Sequence, residues 1–320
     1  MTVERAVETV VRQARETGAM RIWLLRAAWV TLPITAGPAL SAGLSHWSDG
    51  ARLVAGGLCW IAWAAGLLAT LAPRPAALTV LRAVAPAALV VAVIAALGGR
   101  ASSLASLGAV AAMIVAAALA ADSEIAIAAA NAVAYGDERR YPLRTPPALF
   151  VGPLPAARLV AVGGLVAGPL LLADGRLLSG VVALVIGVPL AVLAARALHG
   201  LSRRWLVLVP AGVVVVDPLA LADNVLFPRE HVQLLRAFDA DEEPGDALDL
   251  RLGATVGSVL LRFDEPAELT RAVRARRGGD TVDAPGLVIA VSRREVALAD
   301  AARRRAAGVV REAAGGSDRP

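Results

Sequence analysis

Three polar side chains follow the fourth long apolar run of this chain at a spacing that could do chemistry. Glu124, Asn131 and Tyr135 come after a run that ends near Ala121. If one helix continued through this stretch, separations of seven and eleven residues would put all three on one face, because both complete nearly whole turns; Asp122 would point elsewhere. A carboxylate, an amide and a phenol aligned at a membrane boundary could carry protons or ions, since ionisable groups inside a membrane are functional hypotheses by default.

A plainer interpretation puts the membrane boundary at Ala121 itself. Glu124 is then hydrated or pairs with an arginine such as Arg139 or Arg144, while the amide and the phenol fix the helix onto a water-facing domain. The depth of the carboxylate decides between the two, because a charge costs several kcal/mol at the bilayer centre and little among the headgroups. From the sequence we favour the plainer interpretation.

An arginine- and proline-rich segment follows, from Asp137 to Pro147. Its prolines exclude a helix and its charges exclude the membrane interior, so we expect a stiff, extended connection. This connection is expected to dock against the later domain or to bring arginines to lipid phosphates, where each contributes about 1 kcal/mol. The candidate contacts for a lipid headgroup or a partner are Arg139, Arg140, Arg144, Arg203 and Arg204.

Motifs of familiar reactions are missing from the sequence. It holds no His-Glu-x-x-His, no Gly-x-Ser-x-Gly and no glycine-rich phosphate loop. All 32 basic residues are arginine, which excludes lysine Schiff-base chemistry. One cysteine, Cys59, and three histidines far apart in sequence do not predict a metal site. We therefore predict no catalytic residue, no cofactor and no metal, and a membrane enzyme is the least supported function.

Composition places the chain in a membrane. Of its 320 residues 57% are hydrophobic and the mean hydropathy is +0.64, which is too apolar for an ordinary soluble domain. A spanning helix needs about 20 apolar residues. Residues 22–121 offer four such stretches and residues 156–201 offer two. The six predicted spans are Ile22–Leu44, Leu53–Leu71, Ala76–Leu97, Leu104–Ala121, Ala156–Ala173 and Leu177–Leu198.

Arginines flank these stretches unevenly. Four regions are rich in arginine: residues 1–21, which form a predicted amphipathic surface helix, the turn flanked by Arg74 and Arg82, the polar connection 122–155, and the residues after the sixth stretch. The connections between these regions hold little more than Arg52, Arg100 and Arg176. If all six stretches cross, the positive-inside rule puts the arginine-rich side, with both termini, in the cytoplasm. The net charge of +5 then reflects topology and not nucleic-acid binding. All-arginine usage hints at a GC-rich gene, so we predict a bacterial plasma-membrane protein.

Small residues are frequent in the predicted spans. Gly164 and Gly168 form a Gly-x-x-x-Gly, a spacing that lets helix backbones approach closely. We interpret it as packing within the chain. The alternative is a face for a homo-oligomer.

Beyond Leu201 the long apolar runs give way to short β-type runs. They predict an α+β domain in the cytoplasm over residues 202–314, followed by a frayed tail over residues 315–320. Trp205–Val209 and Val213–Val216 flank a Pro-Ala-Gly turn and predict a hairpin. Leu248–Leu252 and Ser258–Phe263 predict a second hairpin.

Further elements of this domain follow from local signals. Val232–Phe238 and Leu287–Val291 predict strands. Glu265–Arg277 predicts a short helix with a proline in its first turn. Ser292–Glu295 has the pattern of a capping box and predicts a final helix that runs to about Ala313.

Three runs of this domain carry a resemblance to a known family. They are residues 203–209 (RRWLVLV), 212–217 (GVVVVD) and 227–232 (FPREHV). A hairpin-rich domain of this kind, which ends in a helix and follows a membrane span directly, resembles the bacterial pleckstrin-homology-like domains. The runs look like the first two strands of that fold and the approach to a third. The membrane portion looks like that of a bacterial multi-pass membrane protein.

The sequence thus predicts an α-helical polytopic membrane protein of about six spans with a C-terminal α+β domain. The favoured function is an accessory, scaffold or sensor in the lipid bilayer, whose residues 202–314 bind a protein partner or anionic lipid headgroups. The alternative is a small transporter or channel component that uses the polar face at Glu124 and Asn131.

Overall fold

The computed structural model describes residues 3–272 and 279–304, which fall into two compact units. The helical unit comprises residues 18–129 and 150–202, and the β domain comprises residues 1–17, 130–149 and 203–320. The helices are α1 Val3–Thr35, α2 Gly37–Gly43, α3 Asp49–Leu71, α4 Pro75–Leu97, α5 Ser103–Ala121, α6 Ser123–Asn131, α7 Ala148–Val151, α8 Pro153–Ala173, α9 Leu177–Leu201 and α10 Arg294–Arg303. The strands are β1 Arg139–Pro142, β2 Trp205–Val209, β3 Gly212–Val216, β4 Val225–Pro228, β5 Val232–Ala237, β6 Leu248–Asp249, β7 Ser258–Arg271 and β8 Asp280–Ala290.

Five of the described helices are long and apolar enough to cross a membrane, namely α3, α4, α5, α8 and α9. They match the second to sixth predicted spans, so the multi-pass, membrane-embedded class is supported. The first predicted span differs from its expected form. Its residues are divided between α1, which begins at Val3 and absorbs the predicted surface helix, and the short α2. Pro38 stands at the start of α2, where it has no N–H to continue the hydrogen bonds of α1.

Two tryptophans bind α1 to α3 inside the helical unit. Nε1 of Trp29 donates to the carbonyl oxygen of Trp63 at 2.8 Å, and Nε1 of Trp63 donates to the carbonyl oxygen of Trp29 at 2.9 Å. Gly66 makes room for this pair, because a Cβ there would lie 1.9 Å from the Trp29 ring. A buried indole usually needs a partner for its N–H, and here each indole supplies that partner for the other through its backbone.

The α8–α9 hairpin packs backbone against backbone. A Cβ on Gly164 would lie 2.4 Å from the carbonyl oxygen of Gly187, and one on Gly168 would lie 2.5 Å from Leu184. The pairing runs antiparallel, since Gly180 in turn meets Leu172. The Gly-x-x-x-Gly face is therefore occupied within the chain, as the intramolecular interpretation predicted.

The β domain is built from two four-stranded sheets. One has the order β1-β2-β3-β4 with antiparallel neighbours, and the other has the order β5-β7-β8-β6. The predicted β2–β3 hairpin is present, with Val209 paired to Gly212. Alternate residues of the sheets point into one shared core, for example Leu206, Leu235 and Ile289.

Strand β1 was not expected, since its residues belong to the connection between α5 and α8. It pairs with β2 from Arg139 opposite Leu208 to Pro142 opposite Trp205. It also reaches the second sheet, where the Ser292 N–H donates to the Pro142 carbonyl oxygen at 2.9 Å. The predicted extended connection is thus an integral strand of the domain.

The predicted helix at Glu265–Arg277 is wrong in its described part, which continues strand β7 to Arg271. Ala267 to Arg271 pair with β8, and Leu269 of this stretch is fully buried. Pairing and burial on one face outweigh the weak local preference for a helix. Pro266 lies in the irregularity between Arg262 and Ala267, where a missing N–H is tolerated. Residues 273–278 lie outside the described part.

Two smaller predictions also need correction. Leu248–Asp249 pairs parallel with β8 and not with β7, so the second hairpin as predicted does not form; β7 forms its hairpin with β8. The final helix begins at Arg294 after an N-cap residue, Arg293, whose side chain makes no capping hydrogen bond. The predicted capping box needs Ser292 at the N-cap position, which Arg293 occupies instead. The predicted extension to Ala313 and the tail 315–320 lie outside the described residues.

Candidate functional site

The helix that the polar face requires is interrupted at Asp122. Helix α5 ends at Ala121, and Asp122 takes an extended conformation with ψ 139°. Its Oδ1 accepts the Glu124 N–H at 2.7 Å and its carbonyl oxygen accepts the Ala126 N–H at 3.3 Å. An aspartate in this role caps the start of a new helix, α6. The polar-face hypothesis required the fourth span to continue as one helix past Ala121, and that condition is not met; the predicted end of the span at Ala121 agrees with the end of α5.

The three candidates of the polar face have different surroundings. Glu124 is only 6% exposed and lies beside Gly18, where a Cβ would be 3.8 Å from its Oε2. Asn131 binds the backbone of Arg140 twice, donating from Nδ2 at 2.8 Å and accepting the N–H at Oδ1 at 3.0 Å. Tyr135 is 90% exposed and lies beyond the end of α6.

Asn131 therefore has a structural role inside the β domain. Its amide pairs with β1 as a neighbouring strand residue would, and so satisfies both polar groups of the Arg140 backbone. The plainer interpretation had assigned Asn131 a contact with the later domain; the observed partner is Arg140 of the connection, which forms part of β1. Tyr135 makes a different contribution, since its N–H donates to the Glu138 carboxylate at 3.2 Å.

The five candidate arginines are also divided by the fold. Arg203 is exposed, whereas Arg139, Arg140 and Arg144 are half-buried. The guanidinium of Arg140 lies 4.8 Å from the Trp205 ring and 2.7 Å from Glu138. Its hydrogen bond lowers the pKa of the Glu138 carboxyl below the ordinary value.

Arg204 is a buried structural residue and is unavailable to a lipid headgroup. Its Nε and Nη2 donate to the two carboxylate oxygens of Asp217 at 2.7 and 2.6 Å, and its Nη1 donates to the Arg144 carbonyl oxygen at 2.7 Å. Both side chains of the pair are almost fully buried. The candidate role of Arg204 as a lipid or partner contact is therefore wrong.

A signal for this buried pair was present in the sequence. Residues 204, 206 and 208 alternate onto one face of β2, and residues 213, 215 and 217 onto one face of β3. Both sets carry apolar side chains apart from Arg204 and Asp217. One positive and one negative residue stand opposite each other in two apolar faces that point into the core. This pattern predicts a buried ion pair.

A second buried polar cluster was not predicted, and no local pattern in the sequence indicates it. The hydroxyl of Tyr141 donates to Oδ2 of Asp300 at 2.9 Å, and Arg303 and Arg304 donate to the same carboxylate at 2.6 and 3.2 Å. Burial is the main cause that raises the pKa of the Tyr141 phenol, and the charge of Asp300 adds to it. The contact ties β1 to α10 across more than 150 residues of sequence, which local patterns do not reveal.

Sites for small cofactors are not evident in the described part of the chain. Within residues 3–272 and 279–304, His, Cys, Asp and Glu form no group of three that could hold a metal ion. A small cleft of the helical unit is lined by apolar side chains such as Ile22 and Leu25, with Thr70 as its polar member. It offers nothing that would bind a charged cofactor.

The described part of the β domain therefore contains two buried polar clusters, one around Arg204 and Asp217 and one around Tyr141 and Asp300. The chain matches no protein-family model, no curated protein and no solved structure.

Proposed function

We propose that this chain is a six-span protein of the bacterial plasma membrane, with both termini and the β domain in the cytoplasm. On this proposal it is an accessory, scaffold or sensor that binds a protein partner or the membrane surface through the β domain. The observation that carries the proposal is the pairing of β1, which lies between spans, with β2, which follows the last span.

This pairing constrains the topology independently of the charge rule. A small sheet cannot straddle a bilayer, so residues 139–142 and 205–209 share one aqueous side. The chain between them must cross an even number of times, which α8 and α9 satisfy. The positive-inside rule then assigns that side to the cytoplasm because of its arginines.

The same reasoning favours a sixth span. Residues 1–17 and 130–149 belong to one compact unit, so the chain between them also crosses an even number of times. Helices α3, α4 and α5 supply three crossings, and residues 18–43 supply the fourth. That segment has 26 residues, divided between α1 and α2, which is more than the about 20 that a span needs. Leu25 and Trp29 are buried on its inner side while Ile34 is 78% exposed, and Arg21 and Arg26 lower its hydropathy.

The connectivity suits a scaffold or sensor. The β domain is not attached by a single linker; the chain passes between it and the helical unit at residues 17–18, 129–130, 149–150 and 202–203. Along the chain, strand β1 ends shortly before α8 begins, and strand β2 begins soon after α9 ends. The two ends of the α8–α9 hairpin are therefore joined along the chain to two strands that pair with each other.

A pleckstrin-homology-like fold is the finer part of the proposal. Its support is two antiparallel-rich sheets around a shared core, followed by a helix whose Ala297 and Ala301 pack into that core. Strand β1, drawn from an earlier part of the chain, is an addition to that pattern.

The test is affinity purification of tagged full chains from native membranes, with bound proteins and lipids identified by mass spectrometry. We expect a partner that is retained by Glu124→Gln and lost from Asp217→Asn, which disrupts the buried pair of the β domain. The captured amount of each chain serves as the reference. Retention on Asp217→Asn with loss from Glu124→Gln would contradict the proposal.

The transport alternative now depends on Glu124, whose burial in the helical unit is the observation that favours it. A buried carboxylate near a membrane boundary can exchange a proton. In proteoliposomes that carry a pH-sensitive dye, transport predicts a proton flux that Glu124→Gln abolishes. The scaffold proposal predicts no difference between this variant and the parent chain.

A further inference from the structure

Arginines from different helices meet in the helical unit where α5 ends. Arg82 of α4 donates from Nε to the Ala120 carbonyl oxygen at 3.2 Å and from Nη2 to the Ala121 carbonyl oxygen at 3.4 Å. It thereby satisfies carbonyl groups that the end of a helix leaves without partners. Arg21 of α1 pairs with Asp122, the next residue, at 3.7 Å.

Arg158 of α8 joins this group. Helix α8 packs against α4, and Arg158 lies five residues into α8 as Arg82 lies seven residues into α4. The guanidinium groups of Arg82 and Arg158 thus lie on neighbouring helices. The carboxylate of Asp122 is already engaged, because it accepts the Glu124 N–H. Even with Glu124 counted, the group keeps an excess of positive charge.

Two buried donors of this group lack acceptors. The Nε atoms of Arg158 and Arg21 are inaccessible to solvent and donate to no acceptor within the described residues. Buried donors without a partner are uncommon in folded proteins, and each one calls for an explanation such as an ion or ligand. An anion bound by these guanidinium groups would offset the repulsion between the arginines.

The depth of the group fits the headgroup region. Arg158 lies five residues after the start of α8 at Pro153, and Arg82 lies seven residues after the start of α4 at Pro75. These offsets are roughly 7–10 Å along the helix axes. Long arginine side chains at this depth extend toward the interface, where lipid phosphates lie.

We propose that Arg158, Arg82 and Arg21 form a binding site for a phosphate oxyanion at the level of the headgroups. A guanidinium presents parallel N–H donors that match two phosphate oxygens. The phosphate belongs to an anionic phospholipid or is free in solution. The site is separate from the five arginines that the sequence suggested.

The test is native mass spectrometry of the purified full chain in mild detergent. Phosphatidylglycerol, phosphatidylcholine and inorganic phosphate are added in separate arms. The variant is Arg158→Gln, and the matched control is Arg196→Gln, which removes the same charge from an exposed position on α9. We expect the parent chain to prefer phosphatidylglycerol over phosphatidylcholine. Arg158→Gln should weaken that binding about five-fold, or about 1 kcal/mol, and Arg196→Gln should not.

The arms distinguish the two sources of phosphate. Loss of phosphatidylglycerol in Arg158→Gln supports a lipid headgroup, and an Arg158-dependent binding of inorganic phosphate alone supports the free anion. Equal binding by Arg158→Gln and the parent chain in every arm overturns the proposal. If Arg158→Gln fails to fold, as judged by gel filtration and circular dichroism, Arg21→Gln replaces it, and equal binding by that variant overturns the proposal in the same way.

Discussion

Removal of one charge from the buried Arg204–Asp217 pair tests the β domain most sharply. Asp217→Asn keeps the size and shape of the side chain but leaves the Arg204 guanidinium without its counter-charge in a site where the pair is 2% and 0% exposed. Breaking a buried pair on one side costs about 3–5 kcal/mol. At a factor of ten per 1.4 kcal/mol, opening of the sheet should become about 100- to 4,000-fold more frequent.

Hydrogen exchange of the full chain in detergent, read on peptides from β2 and β3, measures this opening directly. The control is Asp246→Asn, which removes a carboxylate from an exposed pair with Arg262 and should change exchange by no more than about 1 kcal/mol. Replacement of both partners by apolar residues, as in Arg204→Met with Asp217→Leu, should restore much of the protection. If Asp217→Asn exchanges like Asp246→Asn, the reasoning is wrong.

Three other outcomes are expected. Gly164→Ala should destabilise the helical unit in thermal unfolding because its Cβ would lie 2.4 Å from a backbone oxygen, while Gly163→Ala, next to it and with nothing within 4 Å, should be neutral. Gly66→Ala should lower the unfolding temperature by displacing the Trp29 indole, at a cost of about 1–3 kcal/mol, whereas Gly56→Ala should not. Burial raises the pKa of Tyr141, so its contribution to stability is complete below the ordinary tyrosine pKa and is lost as pH rises above that value. Tyr141→Phe should therefore flatten the loss of stability above about pH 10, measured by circular dichroism.

Local sequence patterns correctly predicted the elements that depend only on nearby residues. The length and apolarity of five runs predicted α3, α4, α5, α8 and α9, and a Pro-Ala-Gly turn between valine-rich runs predicted the β2–β3 hairpin. The Gly-x-x-x-Gly spacing predicted close packing in α8, although only the structure shows that α9 is the partner.

Non-local pairing accounts for most of what was missed. Nothing near Arg139–Pro142 indicates that it pairs with a strand more than 60 residues later, after two membrane helices. Leu269 and its neighbours in sequence favour a helix locally, but their pairing with β8 makes them part of a strand. The break at Asp122 could have been predicted from the sequence, because aspartate is a favoured N-cap residue and α6 begins at the next residue, Ser123.

The candidate site was predicted less well than the fold. Arg204 and Arg203 are adjacent and chemically identical, but the two-residue period of a strand sends one into the core and the other to solvent. Asn131 was expected either in a polar path or in a fixing contact, and it pairs with the Arg140 backbone. The phosphate site combines residues from α1, α4 and α8, which no spacing along the chain brings together.

Labelling of single cysteines with a membrane-impermeant maleimide tests the topology that the account depends on. Each cysteine is introduced on a Cys59→Ser background, which removes the sole natural thiol. In intact cells, six spans with cytoplasmic termini predict labelling of Asp174→Cys, in the α8–α9 turn, and no labelling of Glu16→Cys, Tyr135→Cys or Val256→Cys until the membrane is opened. Labelling of Tyr135→Cys and Val256→Cys from opposite sides, or of Glu16→Cys from outside, would contradict it.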